Sequence, residues 1–235
     1  MVLSITRQEL FEYVSRQMNT YFPDKCTLGG DKRAFELALE RLEYCFQHIS
    51  LKNYNKNGQA NFYHLHMDQY STFLYYYANS IWKLGGEKVL ADKLIVLNRA
   101  LSGMWCSYTN NLPDIFVLMH PVGTVLGNAN YSDYLVVLQN VTVNTMEDEK
   151  GNRILNIGKG CFLSAGAKVI KKSTIGDWCT VGENTVLHDT PLSDGQLAYT
   201  DREGKLHIKR YDNSKWLSQY FFPIYLSKDL NSTHN

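Results

Sequence analysis

The chain has 235 residues, with 24 Lys and Arg against 23 Asp and Glu, a formal net charge of +1. That balance removes the global electrostatic case for nucleic acid or an anionic membrane as partner. No apolar run approaches the roughly 18–20 residues needed to cross a bilayer, and the opening MVLSITRQELFEYV lacks the basic-then-apolar layout of a secretory signal.

The five cysteines are scattered, with no CxxC, which points to free thiols in a reducing, cytoplasmic setting. At the N-terminus Thr6 and Glu9 have the spacing of a capping box and predict a helix start. Phe35, Leu39, Leu42, Phe46 and Ile49 recur at steps of 4, 3, 4 and 3, the apolar stripe of a helix. The stretch 51–61 (LKNYNKNGQAN) is polar and reads as a loop. Tyr70, Phe73, Leu74, Tyr77 and Ile81 mark a second long helix, stopped by Gly85-Gly86, and Leu90, Leu94, Leu97, Leu101 and Met104 mark a third. Residues 1–108 are therefore expected to form an α-helical domain, with the boundary near 105–112.

The second half changes its beat. Ile157, Leu163, Val169, Ile175, Val181 and Leu187 are spaced by six, a period that neither a helix nor a simple strand produces. Three six-residue strands make one triangular coil of a parallel β-helix. The positions four further on are small or thiol-bearing (Cys161, Ala167, Ser173, Cys179, Thr185). Cys161 and Cys179, one full coil apart, are expected to stack in the interior as free thiols. Traced backwards, Val125, Tyr131, Val137 and Val143 keep the same period in another phase, because Val143 to Ile157 is fourteen residues, two hexads plus two. The break predicts a loop over 144–156, where the sequence is polar and charged. Such an excursion is either functional or a tolerated surface insertion. Beyond the repeat, 197–210 reads as a hairpin around Glu203-Gly204, and 227–235 as a flexible tail. The expected class is α+β, with helices followed by a β-helix over 109–226.

A smooth prism of this kind offers few places for chemistry. His120, in LMHPVGTVLG at the start of the repeat, is the candidate: an imidazole titrating near neutrality is a good general base, although a structural histidine satisfied by backbone fits the same position. The segments DQYSTFLYYYANSIWKL (68–84), MHPVGTVLGNANYSDYLVVLQNVTVN and NIGKGCFLSAGAKVI occur in an order that resembles serine O-acetyltransferases of the left-handed β-helix, hexapeptide-repeat class, over roughly residues 64–190. The resemblance implies a homotrimer, or a dimer of trimers, with acetyl-CoA in a groove between neighbouring β-helices. It also implies that a histidine matching His120 deprotonates an acceptor hydroxyl, which attacks the thioester directly. Ser164, Ala165 and Gly166 match the coil that lines the acetyl-CoA groove, and Lys168 and Lys172 are candidates for the CoA phosphates, or simply solubilising lysines. No metal is implied. A zinc enzyme of the γ-carbonic anhydrase type needs three converging histidines, for which His120, His188 and His207 lack suitable spacing.

The departures from the family bear on the acceptor. Met119 stands where the family has an aspartate before its histidine. Asn152-Arg153-Ile154-Leu155 stands for Asp-Arg-His-Pro, so Arg153 is kept and a second histidine is lost. His64 replaces an acidic residue, and the aspartate that orients the family's histidine would fall near Trp105. With those carboxylates gone, the expected acceptor is a hydroxyl of a sugar in surface polysaccharide (capsule or lipopolysaccharide). Serine O-acetylation feeding cysteine synthesis is the alternative, and a non-catalytic trimeric scaffold a remote one. His64, His66, Asp68 and Arg153 are the candidate acceptor-binding residues, Asp68 competing with a role as helix N-cap. The aromatic residues Tyr70, Phe73, Tyr75, Tyr76 and Tyr77 suit either a sugar face or the core.

Overall fold

The computed structural model describes residues 1–29, 32–210 and 216–222; the expected tail at 227–235 lies outside the described residues. Helix α1 (Arg7–Tyr21) opens on the predicted box: Glu9 donates its N–H to Thr6 Oγ1 at 3.2 Å, and Thr6 donates its N–H to Glu9 Oε2 at 2.8 Å. Helix α2 (Arg33–Gln47) buries Phe35, Leu39, Leu42 and Phe46, and Ile49 lies buried just past its end. Helix α3 (Met67–Lys83) is the axis of the helical part, packed against α2 and against α4 (Lys88–Ser102). Its residues 68–81 are all buried. The polar members among them find partners: Gln69 donates to Asn53 O at 2.8 Å and Asn79 to Tyr108 O at 2.6 Å. Helix α4 ends where Gly103 turns left-handed at φ 73°, so Met104 is buried outside the helix rather than in its last turn.

The aromatic run on α3 is core. Tyr70, Phe73, Tyr75, Tyr76 and Tyr77 are each no more than 2% exposed. Tyr75 and Tyr76 donate their hydroxyls to Asn110 O at 2.7 Å and Asp114 O at 3.2 Å, which pins the helix to the start of the coil. The polar stretch after α2 is more ordered than a plain loop: Asn55–Lys56 pairs antiparallel with Gln59–Phe62, which pairs in parallel with Val2–Leu3.

The second half is a stack of parallel coils with three faces. Phe162↔Thr180, Lys168↔Val186 and Ile157↔Ile175 each join residues 18 apart, one coil of three hexads. One coil earlier the same faces pair Phe162↔Val136, Lys168↔Thr142 and Asn156↔Asn130, an offset of 26. The eight additional residues all leave the prism in the loop after Val143, where the phase break placed them. Inside, Val137, Leu163 and Val181 form one aliphatic column and Val143, Val169 and Leu187 another, every one fully buried. The ladder opens at Trp105–Cys106, paired with Val125–Leu126.

Cys161 and Cys179 are free, each donating to a carbonyl of the next coil, Gly176 O at 3.1 Å and Ser193 O at 3.0 Å. Burial pushes the Cys179 thiol up to about 11 and Cys161 well above its ordinary value, so both stay protonated. The hairpin Gln196–Thr200/Leu206–Arg210 extends the prism, its first strand pairing in parallel with Thr180–Val181. Residues 216–222 then return along the coil. Trp216 stacks on Trp178 at 4.8 Å, Ser218 Oγ donates to Gly160 O at 2.7 Å, and Ser50 N donates to Phe221 O at 2.8 Å, tying coil to helices. Among the described residues, no helix is long and apolar enough to cross a membrane, and no three His, Cys, Asp or Glu are grouped to hold a metal ion.

Candidate active site

His120 follows the strand Phe116–Leu118 and occupies a corner of the first coil. Its φ of 49° is left-handed, the conformation that Tyr134, Asn140 and Asn184 adopt at other turns of the coil. The corner is held by Met119 N donating to Val137 O at 2.8 Å and Val122 N donating to His120 O at 2.6 Å. This turn throws the imidazole off the prism, leaving its side chain 73% exposed.

Facing it is Asp68, in the first turn of α3, its side chain 6% exposed and its Oδ2 3.5 Å from His120 Nδ1. The separation is that of an ion pair rather than a tight hydrogen bond. A carboxylate on the Nδ1 side favours the tautomer that leaves Nε2 free to accept a proton, and it stabilises the imidazolium that results. The positive end of α3 supports that carboxylate in turn. The N-cap of α3 is His66, which makes no side-chain capping bond, so Asp68 is not the cap. Nor does His120 lack an acidic neighbour: Trp105, the position expected to hold the orienting aspartate, is a half-exposed ring under Arg99, while the carboxylate comes from helix α3.

Between the helices and the first coil lies a cavity of about 350 Å³ lined by Leu51, Lys52, Asn53, Tyr54, His66, Asp68, Met119 and His120. Of the sequence-predicted residues, His66, Asp68 and His120 meet there. His64 does not: its Nδ1 lies 2.8 Å from Ser4 Oγ and its ring packs edge-on against Tyr13. Arg153 is also elsewhere, donating to Thr109 O at 3.0 Å. Tyr54 was not singled out from sequence; the only signal was a lone tyrosine within a polar run.

The registers Leu118↔Val137 and Val137↔Leu163 put the residues that follow them on one edge of the prism. Ser164, Ala165 and Gly166 thus lie two coils along the edge that carries His120, about 10 Å away at the spacing of adjacent strands. Ser164 is buried, and Lys168 Nζ donates to Gly166 O at 3.1 Å. Lys172 is exposed, its N–H donating to Asp189 Oδ1 at 3.2 Å. Gly166 is required within the chain itself: at φ 73°, a Cβ there would stand 2.2 Å from Asn184 Oδ1 of the next coil.

Comparison with known proteins bears on the acceptor. The bacterial transferase hexapeptide (six repeats) matches residues 156–189. A serine acetyltransferase of Bacillus licheniformis is 35% identical over 78 residues, 32% of this chain, and the match spans about a third (36%) of that relative's length. A serine acetyltransferase solved in complex with cysteine covers 89% of this chain and 74% of its own at TM-score 0.60 and 17% identity. The serine acetyltransferase of Brucella abortus covers 85% and 76% at TM-score 0.60 and 16% identity. These similarities overturn the expectation of a sugar acceptor, which rested on missing carboxylates: the relatives are serine acetyltransferases, and Asp68 puts a carboxylate in the cavity. Residues 156–189 thus match the bacterial transferase hexapeptide model, and the chain shares its fold with the solved serine acetyltransferases.

Proposed function

We propose that the chain is an acetyl-CoA-dependent O-acetyltransferase whose acceptor is serine, a reaction that feeds cysteine synthesis. The observation that carries the reading is the Asp68–His120 pair in a cavity between the helices and the first coil. His120 Nε2 takes the proton of the serine hydroxyl. The alkoxide oxygen forms a bond to the thioester carbonyl carbon, the C–S bond breaks, and the imidazolium returns its proton to the departing thiolate. An alcohol is too weak an acid to ionise unaided at neutral pH, which is why a positioned base is required. The coil edge bearing Ser164, Ala165 and Gly166 takes the pantetheine arm, with Lys168 and Lys172 toward the phosphates. A second copy in a left-handed β-helical homotrimer forms the opposite wall of that groove.

With acetyl-CoA and L-serine, the protein is expected to release CoA in a serine-dependent manner and to form O-acetylserine, with a turnover of about 1–10³ s⁻¹. Thiol detection and mass spectrometry check this, and CoA release that ignores serine would overturn the reading. Asp68→Asn keeps the shape but removes the charge beside the imidazolium. A fall in kcat of about ten- to hundredfold is expected from an interaction of about 1–3 kcal/mol at this partly solvated site.

A further inference from the structure

We propose that Tyr54 and His66, together with Asp68, bind the ammonium group of the acceptor; the inference rests on the serine reading above and assigns it residues of this chain. The phenol of Tyr54 is 2% exposed, and neither its hydroxyl nor His66 Nδ1 has a hydrogen-bond partner among the described residues, although both atoms are buried. Buried polar atoms are normally paired, and leaving one unpaired is costly. Both residues line the cavity that contains Asp68 and His120. Their rings meet edge to face at 5.7 Å, and Phe46 packs edge-on against Tyr54 at 4.8 Å, so both rings are held by packing. Burial, and after it the charge of Asp68, push the Tyr54 phenol well above its usual range, so it remains a neutral hydroxyl.

The three groups complement one ligand chemistry. The carboxylate of Asp68 accepts hydrogen bonds only, the Tyr54 oxygen has free lone pairs, and His66 Nδ1 accepts in the tautomer that carries its proton on Nε2. An ammonium offers three N–H donors and the positive charge that Asp68 needs. With a neutral hydroxyl in the same place, the buried carboxylate has no cation beside it while His120 is the neutral base. Lys52, on the wall of the same cavity, is the cation available to an α-carboxylate. The site thus fits a β-hydroxy α-amino acid, with the ammonium toward Tyr54 and the hydroxyl toward His120.

The test compares L-serine with 3-hydroxypropanoate, which keeps the hydroxyl and carboxylate but lacks the ammonium. For Tyr54→Phe, KM for serine is expected to rise about ten- to hundredfold, the worth of a hydrogen bond to a charged group, and by a larger factor than kcat falls. With 3-hydroxypropanoate, both proteins are expected to react slowly and to differ by less than about twofold. His66→Phe keeps the ring contact with Tyr54 and removes Nδ1; it is expected to show the same substrate-dependent split, and it carries the test alone if Tyr54→Phe does not fold. Equal losses for both substrates would reveal a packing role and overturn the inference, as would an unchanged KM for serine. Failure of the wild-type protein to acetylate serine sinks the proposed function itself, an outcome read from a different arm of the experiment.

Discussion

Alanine in place of His120 is expected to cut serine-dependent CoA release by about 10²–10⁴-fold, the usual contribution of a positioned general base. The loss should fall on kcat. The ring is 73% exposed and contributes little packing, so removing it leaves the fold and the acetyl-CoA edge intact. The backbone needs a separate control, since residue 120 sits at φ 49° and alanine tolerates that region less well. His120→Asn supplies it, because asparagine enters the left-handed region readily yet is no base at neutral pH. Both variants should be equally inactive and should melt close to the wild type. Retention of more than a tenth of the activity by either would remove His120 from the mechanism.

A large loss of stability is expected at Gly160. A Cβ there would stand 1.9 Å from Trp178 Cε3 and 2.1 Å from Cζ3, well inside contact distance. The indole cannot retreat, because Trp216 is stacked on it at 4.8 Å and an interplanar angle of 15°. Gly160→Ala therefore combines over-packing, about 1–3 kcal/mol, with a left-handed backbone at φ 68° that costs alanine about 1 kcal/mol more. For a chain of this size, that lowers Tm by roughly 5–15 °C, measurable by calorimetry or circular dichroism. Gly151→Ala separates the two causes. It has a φ of 80° but open space around its Cβ, so it should show the backbone cost alone. Equal shifts for the two variants would show that the tryptophan stack does not resist displacement.

The β-helix could be read from residue spacing because interior positions of a coil repeat at a fixed interval, and the columns headed by Val137 and Val143 are what that interval builds. The excursion after Val143 could be read for the same reason, since the two-residue slip in phase becomes an offset of 26 instead of 18 on all three faces. The cavity was only partly legible. His120 stood out as a polar residue at the head of the repeat, but its approach to Asp68 joins two elements far apart in the chain, and no periodicity encodes such a contact. Counting absent carboxylates position by position at Met119 and His64 gave the wrong acceptor, because a charge can be delivered to one cavity from another element. Tyr54 was hidden by its surroundings: a polar run reads as loop, and burial of one ring within it is decided by the helices packed behind it. Gly166 was read as giving access to a cofactor; the neighbouring coil's Asn184 is a second reason for glycine there, one that spacing does not reveal.

The loop after Val143 departs from and rejoins the stack without disturbing the pairing of any face, as the shared offset of 26 shows. Its two anchor points are set by the lattice of backbone hydrogen bonds and not by the loop, so its length is a free variable. Doubling such a segment costs only about 0.6 kcal/mol in closure entropy. That edge of the prism is therefore an adjustable chassis: the excursion can be lengthened or shortened while the ladders on either side of it, and the corner that His120 occupies on another edge, stay where they are.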